Sequence, residues 1–425
     1  MKRNTKHEKR IKRLVVTCLL CAIILTVSTY AWFIGMETVT IEAFNVKIAA
    51  VDNLQLSLDG IKYTDTLEIN EDILRVLKDG VNEGENEEDF TYVKSYTTGN
   101  TNSWTDLEPM SSVGLINETS SKMVLFEKGS LTASDGGYRI MAEAVKNDTT
   151  EVKGYVAFDL FVQNLSGQAY YDTITDPHNE EAVYLTYDSA VVSNESGAKV
   201  SGIENSVRVA FAQIGRVKAD TDSTIVQGIT CTDKTVGDVK VTGICADRAA
   251  TIWEPNDTEH VKNAITWFNK SCKKRTAQGT WEGTCDSIVD GTAYKTFAVS
   301  GDIDHTLEID VYDGLNGYTT NTVEHDGATQ KVATLAGKNK LVAVDTFTDT
   351  EKLYEAESRK ELLRLAPNSV TKVRVYIYLE GQDVDNYDFA SLGNQIQVNF
   401  GFTKERYRGV DINPTNPPTH EDGEN

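Results

Sequence analysis

Runs of alternating apolar and polar residues constrain this chain most, because a side-chain period of two fits a β-strand and no helix. Near the C-terminus Val373, Val375, Ile377 and Leu379 alternate with Arg374, Tyr376, Tyr378 and Glu380. Ile396, Val398, Phe400 and Phe402 then alternate with Gln395, Gln397, Asn399 and Gly401. Upstream, Val152, Val156, Phe158, Leu160 and Val162 oppose Lys153, Asp159 and Gln163, and Val207, Val209 and Phe211 flank Arg208. Val39, Ile41 and Ala43 form another such row, which Phe44, Val46 and Ile48 continue on the other parity; Leu54, Leu56 and Leu58 run into the turn pair Asp59-Gly60. Strands with one wet face belong to antiparallel sheets, and several of them predict a mainly β sandwich.

Helical patterns are few. Asn70 to Gly80 reads as a short capped helix, Thr258 to Asn269 as an amphipathic one, and 349–365 as a polar helix stopped by Pro367. The alternation divides into 37–220 and 336–408, the two parts of one or two sandwiches. Between them, 221–335 is rich in Gly, Thr and Asp and is expected to be a disulfide-containing insertion. Residues 409–425 lack apolar period and read as a disordered acidic, Pro-containing tail.

The N-terminus carries an address. Residues 1–13 hold seven Lys and Arg, and 14–36 then carry no charge. A basic flank before an apolar run of spanning length keeps the N-terminus in the cytoplasm and sends the rest outside. The run is longer than the core of an ordinary cleaved signal, which favours a retained membrane helix. Thr29-Tyr30-Ala31 nevertheless offers a small residue before Trp32, so cleavage between Ala31 and Trp32 is the other outcome. A tethered ectodomain and a released protein at the cell surface are both open. The whole chain carries a net charge of −22, concentrated beyond the basic segment, which argues against nucleic acid as a partner.

Cys231, Cys245, Cys272 and Cys285 are the cysteines beyond the apolar run, and an even number outside the cytoplasm predicts two disulfides. Sequential pairing is the first choice among three connectivities. No metalloprotease motif, nucleophile elbow or phosphate loop is present, so no catalytic residue or cofactor is expected. The exception is a candidate Ca²⁺ site at Glu380, Asp383, Asp385 and Asp388, whose oxygens cluster around Gly381; turn chemistry explains the same residues. Asp302, Asp304, Asp310 and Asp313 are a weaker set. Trp253, beside Glu254, would stack on a sugar or anchor a loop to the core.

Ser28-Thr29-Tyr30-Ala31-Trp32-Phe33, followed by a strand over 38–48, resembles the N-terminus of TasA/camelysin-type secreted proteins of Gram-positive bacteria. The stretch Asn394 to Phe402 is similar to that family's last strand. The resemblance covers the two chain ends and implies signal removal by a dedicated peptidase, a jelly-roll β-sandwich, and self-association by donation of an N-terminal strand, here 32–48. No zinc motif accompanies it, and the cysteine window has no counterpart in it.

The expected function is therefore a non-enzymatic extracellular surface protein, a structural or biofilm-matrix, fibre-like component. A membrane-tethered adhesin or glycan-binding module, using loops near Trp253 and the acidic segment 380–388, is the alternative. An envelope hydrolase is a third class without a supporting motif.

Overall fold

The computed structural model describes most of residues 39–69, 106–144, 155–271 and 361–406, with isolated strand segments between 274 and 343. Two sheets of seven strands each form its centre. The first contains β1 (Val39–Ala50), β3 (Thr66–Ile69), β5 (Glu181–Leu185), β6 (Ala190–Ser193), β11 (Leu363–Leu365) and β13 (Leu392–Arg406). The second contains β2 (Leu54–Ser57), β4 (Tyr155–Asn164), β7 (Val207–Lys218), β8 (Lys234–Val236), β9 (Val239–Gly243), β10 (Thr251–Trp253) and β12 (Ser369–Leu379). Their orders are β11-β5-β13-β1-β3, with β6 on β13 and Asp106–Leu107 on β1, and β8-β9-β7-β12-β4-β2, with β10 on β7. Strands from 39–69, 155–218 and 363–406 mix in both sheets, so these segments build one sandwich.

The apolar rows read from the sequence meet between the sheets. Val46 and Ile48 of β1, Val156 to Val162 of β4, Phe211 of β7, Val373 to Leu379 of β12 and Phe400 and Phe402 of β13 share one buried cluster. Phe211 packs edge-on against Phe400 and Phe402, with ring centres 5.2 and 5.8 Å apart. Burying a side chain of this size stabilises by roughly 1.5–3 kcal/mol, so these rows dominate the fold energetically. In β1 the switch of parity near Ala43 coincides with register shifts between Thr40 and Ala43. An extra residue in one strand swaps which face its neighbours present, so the irregular pairing and the slipped sequence pattern agree.

Four expectations need correction. First, β1 and β13 pair in parallel, from Thr40 opposite Leu392 to Ala50 opposite Phe402, although the other ladders of these two sheets are antiparallel. Parallel strands cannot be joined by a tight turn, and the rest of the chain supplies the crossover.

Second, the polar rows of the second sheet are largely covered. Asp159, Arg208, Arg374, Tyr376, Tyr378 and Glu380 are all buried, because a second apolar cluster covers the far side of the second sheet. Met110, Met123 and Leu125 come from one covering segment, and Val226, Ile229, Cys231 and Cys245 from another.

Third, the start of the 221–335 window is continuous with the sandwich: β8 and β9 extend the second sheet and β10 pairs with β7. A short helix, α1 (Ser223–Gln227), opens this layer, with Asp222 accepting from the Thr224 amide. Fourth, Leu363–Leu365, expected at a helix end, is an edge strand on β5. The amphipathic helix is present as α2 (Lys262–Ser271), shifted C-terminally, with Ala264 in the core.

The Asp59-Gly60 turn forms as its chemistry requires. Gly60 has φ of 70°, and Asp59 Oδ1 accepts from the amides of Ile61 and Lys62 at 2.7 and 3.0 Å. A bulge in β7 between Gln213 and Gly215 has a different use. The Gln213 side chain donates to the Arg364 carbonyl at 2.8 Å and accepts from the Arg364 amide at 3.2 Å. One side-chain amide thus stands in for a strand on the edge of β11 that β5 leaves open.

Among the described residues no helix is long and apolar enough to cross a membrane, and 14–36 lies outside them, as do the cleavage pair Ala31 and Trp32, all of 70–80 and the tail from 407.

Candidate functional site

Three core rows end in polar residues, and the topology brings those ends together. Val156, Phe158, Leu160 and Val162 lead to Asn164; Leu185 and Val183 lead back to Glu181; Phe400 and Phe402 lead to Lys404. Residues two apart on a strand share a face, so all three polar groups point between the sheets at one end of the core. Lys404 Nζ donates to Asn164 Oδ1 at 2.8 Å and to Glu181 Oε2 at 3.1 Å. Asn164 Nδ2 donates to the same Glu181 oxygen at 2.7 Å and to the Ala366 carbonyl at 3.0 Å. Asn164 is fully buried, whereas the Lys404 and Glu181 side chains retain 12% and 14% exposure. An amine, a carboxamide and a carboxylate that touches both thus close the sandwich at this end.

The covered face of the second sheet carries a set of buried charges. Asp159 accepts from Arg374 Nε at 2.7 Å and Nη2 at 3.1 Å, and lies 3.0 Å from Lys372 Nζ. Burial pushes the Asp159 carboxyl up, but Arg374 and Lys372 outweigh it and hold it below the usual carboxylate range. Arg216 and Arg248 both bind Glu180 at 2.6 Å. Arg208 contacts Glu254 and Asp383; burial opposes its charge, yet these carboxylates and Glu380 keep the guanidinium ionised. Tyr378, directly across the ladder from Arg208, has its hydroxyl pushed up by burial and by Glu380. These groups tie the second sheet to its cover and hold no nucleophile next to a base.

The sequence-derived candidates fall around this layer. Glu380, Asp383 and Asp385 come close together, while Asp388 lies outside the described residues. Asp383 faces Arg208, and Asp385 meets His260 Nδ1 at 3.0 Å and accepts from the Val261 amide at 3.0 Å. Burial pushes Asp385 up to about 6, with the His260 hydrogen bond opposing and Asp383 adding to the rise. The partners of these carboxylates are protein groups, and among the described residues no three His, Cys, Asp or Glu side chains are placed to hold a metal ion. Of the weaker set, Asp313 ends the strand Val311–Asp313, and Asp302, Asp304 and Asp310 lie outside the description. Trp253 is completely buried, so it anchors β10 to the core and offers no face to a sugar.

Cys231 and Cys245 form a disulfide with Cα atoms 5.2 Å apart, and Cys272 and Cys285 lie outside the described residues. An open cleft of about 500 Å³ lies between β7 and β11, floored by Phe211, Leu362 and Leu363. Its guanidiniums are already engaged, Arg248 by Glu180 and Arg364 by Glu361. Sequence reading missed Asn164, Glu181 and Lys404, although each ends an apolar alternation, a signal visible in the sequence. No family model, no curated protein and no solved structure matches this chain.

Proposed function

We propose that this chain is a non-enzymatic structural subunit of the bacterial cell surface or extracellular matrix, processed at Ala31–Trp32 and able to associate by exchange of β1. The observation that carries the reading is the placement of β1. It lies between β13 and β3, and its Val46 and Ile48 are part of the inter-sheet core. It connects to β2 through only the residues between Ala50 and Leu54. A strand bound laterally by its two neighbours can be replaced by the same strand of another copy, since every contact is reproduced. Long strands that pass repeatedly between the sheets support the jelly-roll winding: β1 to β2 to β3, β4 to β5, and β12 to β13 each change sheet.

The adhesin reading loses its two supports, because Trp253 is enclosed and Asp383 and Asp385 are bound to Arg208 and His260. N-terminal sequencing of the protein purified from cells that secrete it should begin at Trp32, and that material should form filaments with rising concentration. An intact N-terminus in the membrane fraction, with a monomeric ectodomain, would overturn the proposal.

A further inference from the structure

We propose that Lys404 and Asn164 are the two ends of an intramolecular isopeptide bond, formed with Glu181 as the proton carrier. The bond would join β13 of the first sheet to β4 of the second, and the inference stands whether or not β1 is exchanged. Three features carry it. The amine and the carboxamide are already in contact, with Lys404 Nζ 2.8 Å from Asn164 Oδ1. Glu181 Oε2 touches both nitrogens that must change partners, the Lys404 amine at 3.1 Å and the Asn164 amide nitrogen at 2.7 Å. All three groups sit between two sheets whose strands hold them in register, so the reaction starts from reactants in contact; such fixed proximity replaces a large part of the entropy cost of a bimolecular step.

The chemistry balances without a co-reactant. Glu181 takes a proton from the Lys404 ammonium, and the freed amine attacks Asn164 Cγ. The Cγ–Nδ2 bond then breaks as Glu181 returns a proton to the departing nitrogen, and the proton released by the new amide leaves with it as ammonium. One carbon–nitrogen bond forms, one breaks, and nothing is oxidised or reduced. The buried lysine contact within the second sheet is unsuited to this reaction. Lys372 faces Asp159, whose carboxyl is held ionised by Arg374 and is no electrophile.

The test is the mass of the purified, folded, fully reduced protein. It should fall about 17 Da, one ammonia per chain, below the mass calculated for the purified chain from its determined N-terminus, and proteolysis should release a branched peptide containing both Asn164 and Lys404. Glu181→Gln and Lys404→Arg should restore the full mass, while circular dichroism shows the strand content of the parent. The reduced, denatured parent should also migrate faster on a gel than either variant, because the bond closes a loop between residues 240 apart. Full mass in the folded parent after prolonged incubation, with no branched peptide, would overturn the proposal even if neither variant folds. A mass loss located at another residue pair would overturn it equally.

Discussion

Asp159→Asn tests whether the covered face of the second sheet is held by charge. The wild-type carboxylate has no solvent exposure and receives two hydrogen bonds from Arg374 and one contact from Lys372. Asparagine keeps the shape but removes the negative charge, and its NH₂ must face one of the two cations. Both cations then stay buried without an anionic partner, keeping carbonyl contacts, Arg374 to Ser121 and Lys372 to Gln227; losing one partner of a buried pair costs about 3–5 kcal/mol. Three donors converge on this carboxylate, so we expect a loss of about 4 kcal/mol, a large share of the roughly 5–15 kcal/mol that stabilises a domain. With a urea dependence near 3 kcal/mol per molar, the unfolding midpoint should drop by more than about 1 M. The pH dependence fixes the cause. A carboxyl held low in the folded state contributes stability above its unfolded value near 3.9, and that contribution disappears as the pH falls through the lower folded value. The gap between wild type and variant should therefore hold from about pH 7 to about pH 4 and narrow as the pH falls below that. Urea titrations followed by intrinsic tryptophan fluorescence measure both. A midpoint shift below about 0.3 M at neutral pH, or one that does not change on acidification, would refute the argument.

Asp385 has the opposite sign. Its folded value of about 6 lies above the unfolded one, so its contribution is complete at low pH and is lost as the pH rises past the folded value. Asp385→Asn should accordingly compare best with wild type above about pH 7 and worst at or below about pH 4, and a pH-independent difference would contradict this. Cys245→Ser opens a loop of 14 residues and should cost about 3 kcal/mol, read as a lower thermal midpoint. Reductant should lower the midpoint of wild type more than that of the variant.

Much of the sandwich was legible because its apolar rows, such as Val373 to Leu379, are unbroken and read on a local period. The bulge in β1 was legible too, as a change of parity between Ala43 and Phe44. What alternation does not encode is what lies over the second face. Arg374 and Asp159 look like wet residues in sequence, and they become buried only because segments 110–125 and 223–252 fold across them. The parallel pairing of β1 and β13 involves strands from opposite ends of the chain, and no turn residue records their relative direction. The same holds for Asn164, Glu181 and Lys404. Each is an ordinary polar stop at the end of its own row, and their convergence is a property of the topology.

The parallel pairing of β1 and β13 also decides how the molecule answers to force. One strand leads from the N-terminal end and the other leads to the C-terminal end, so tension on the two termini pulls them along their length in opposite senses. Their ladder is then loaded in shear, with the bonds from Thr40 to Ala50 sharing the stress together instead of parting one after another. A protein fixed to a cell or a fibre at one end and dragged at the other would meet that load along this whole ladder at once.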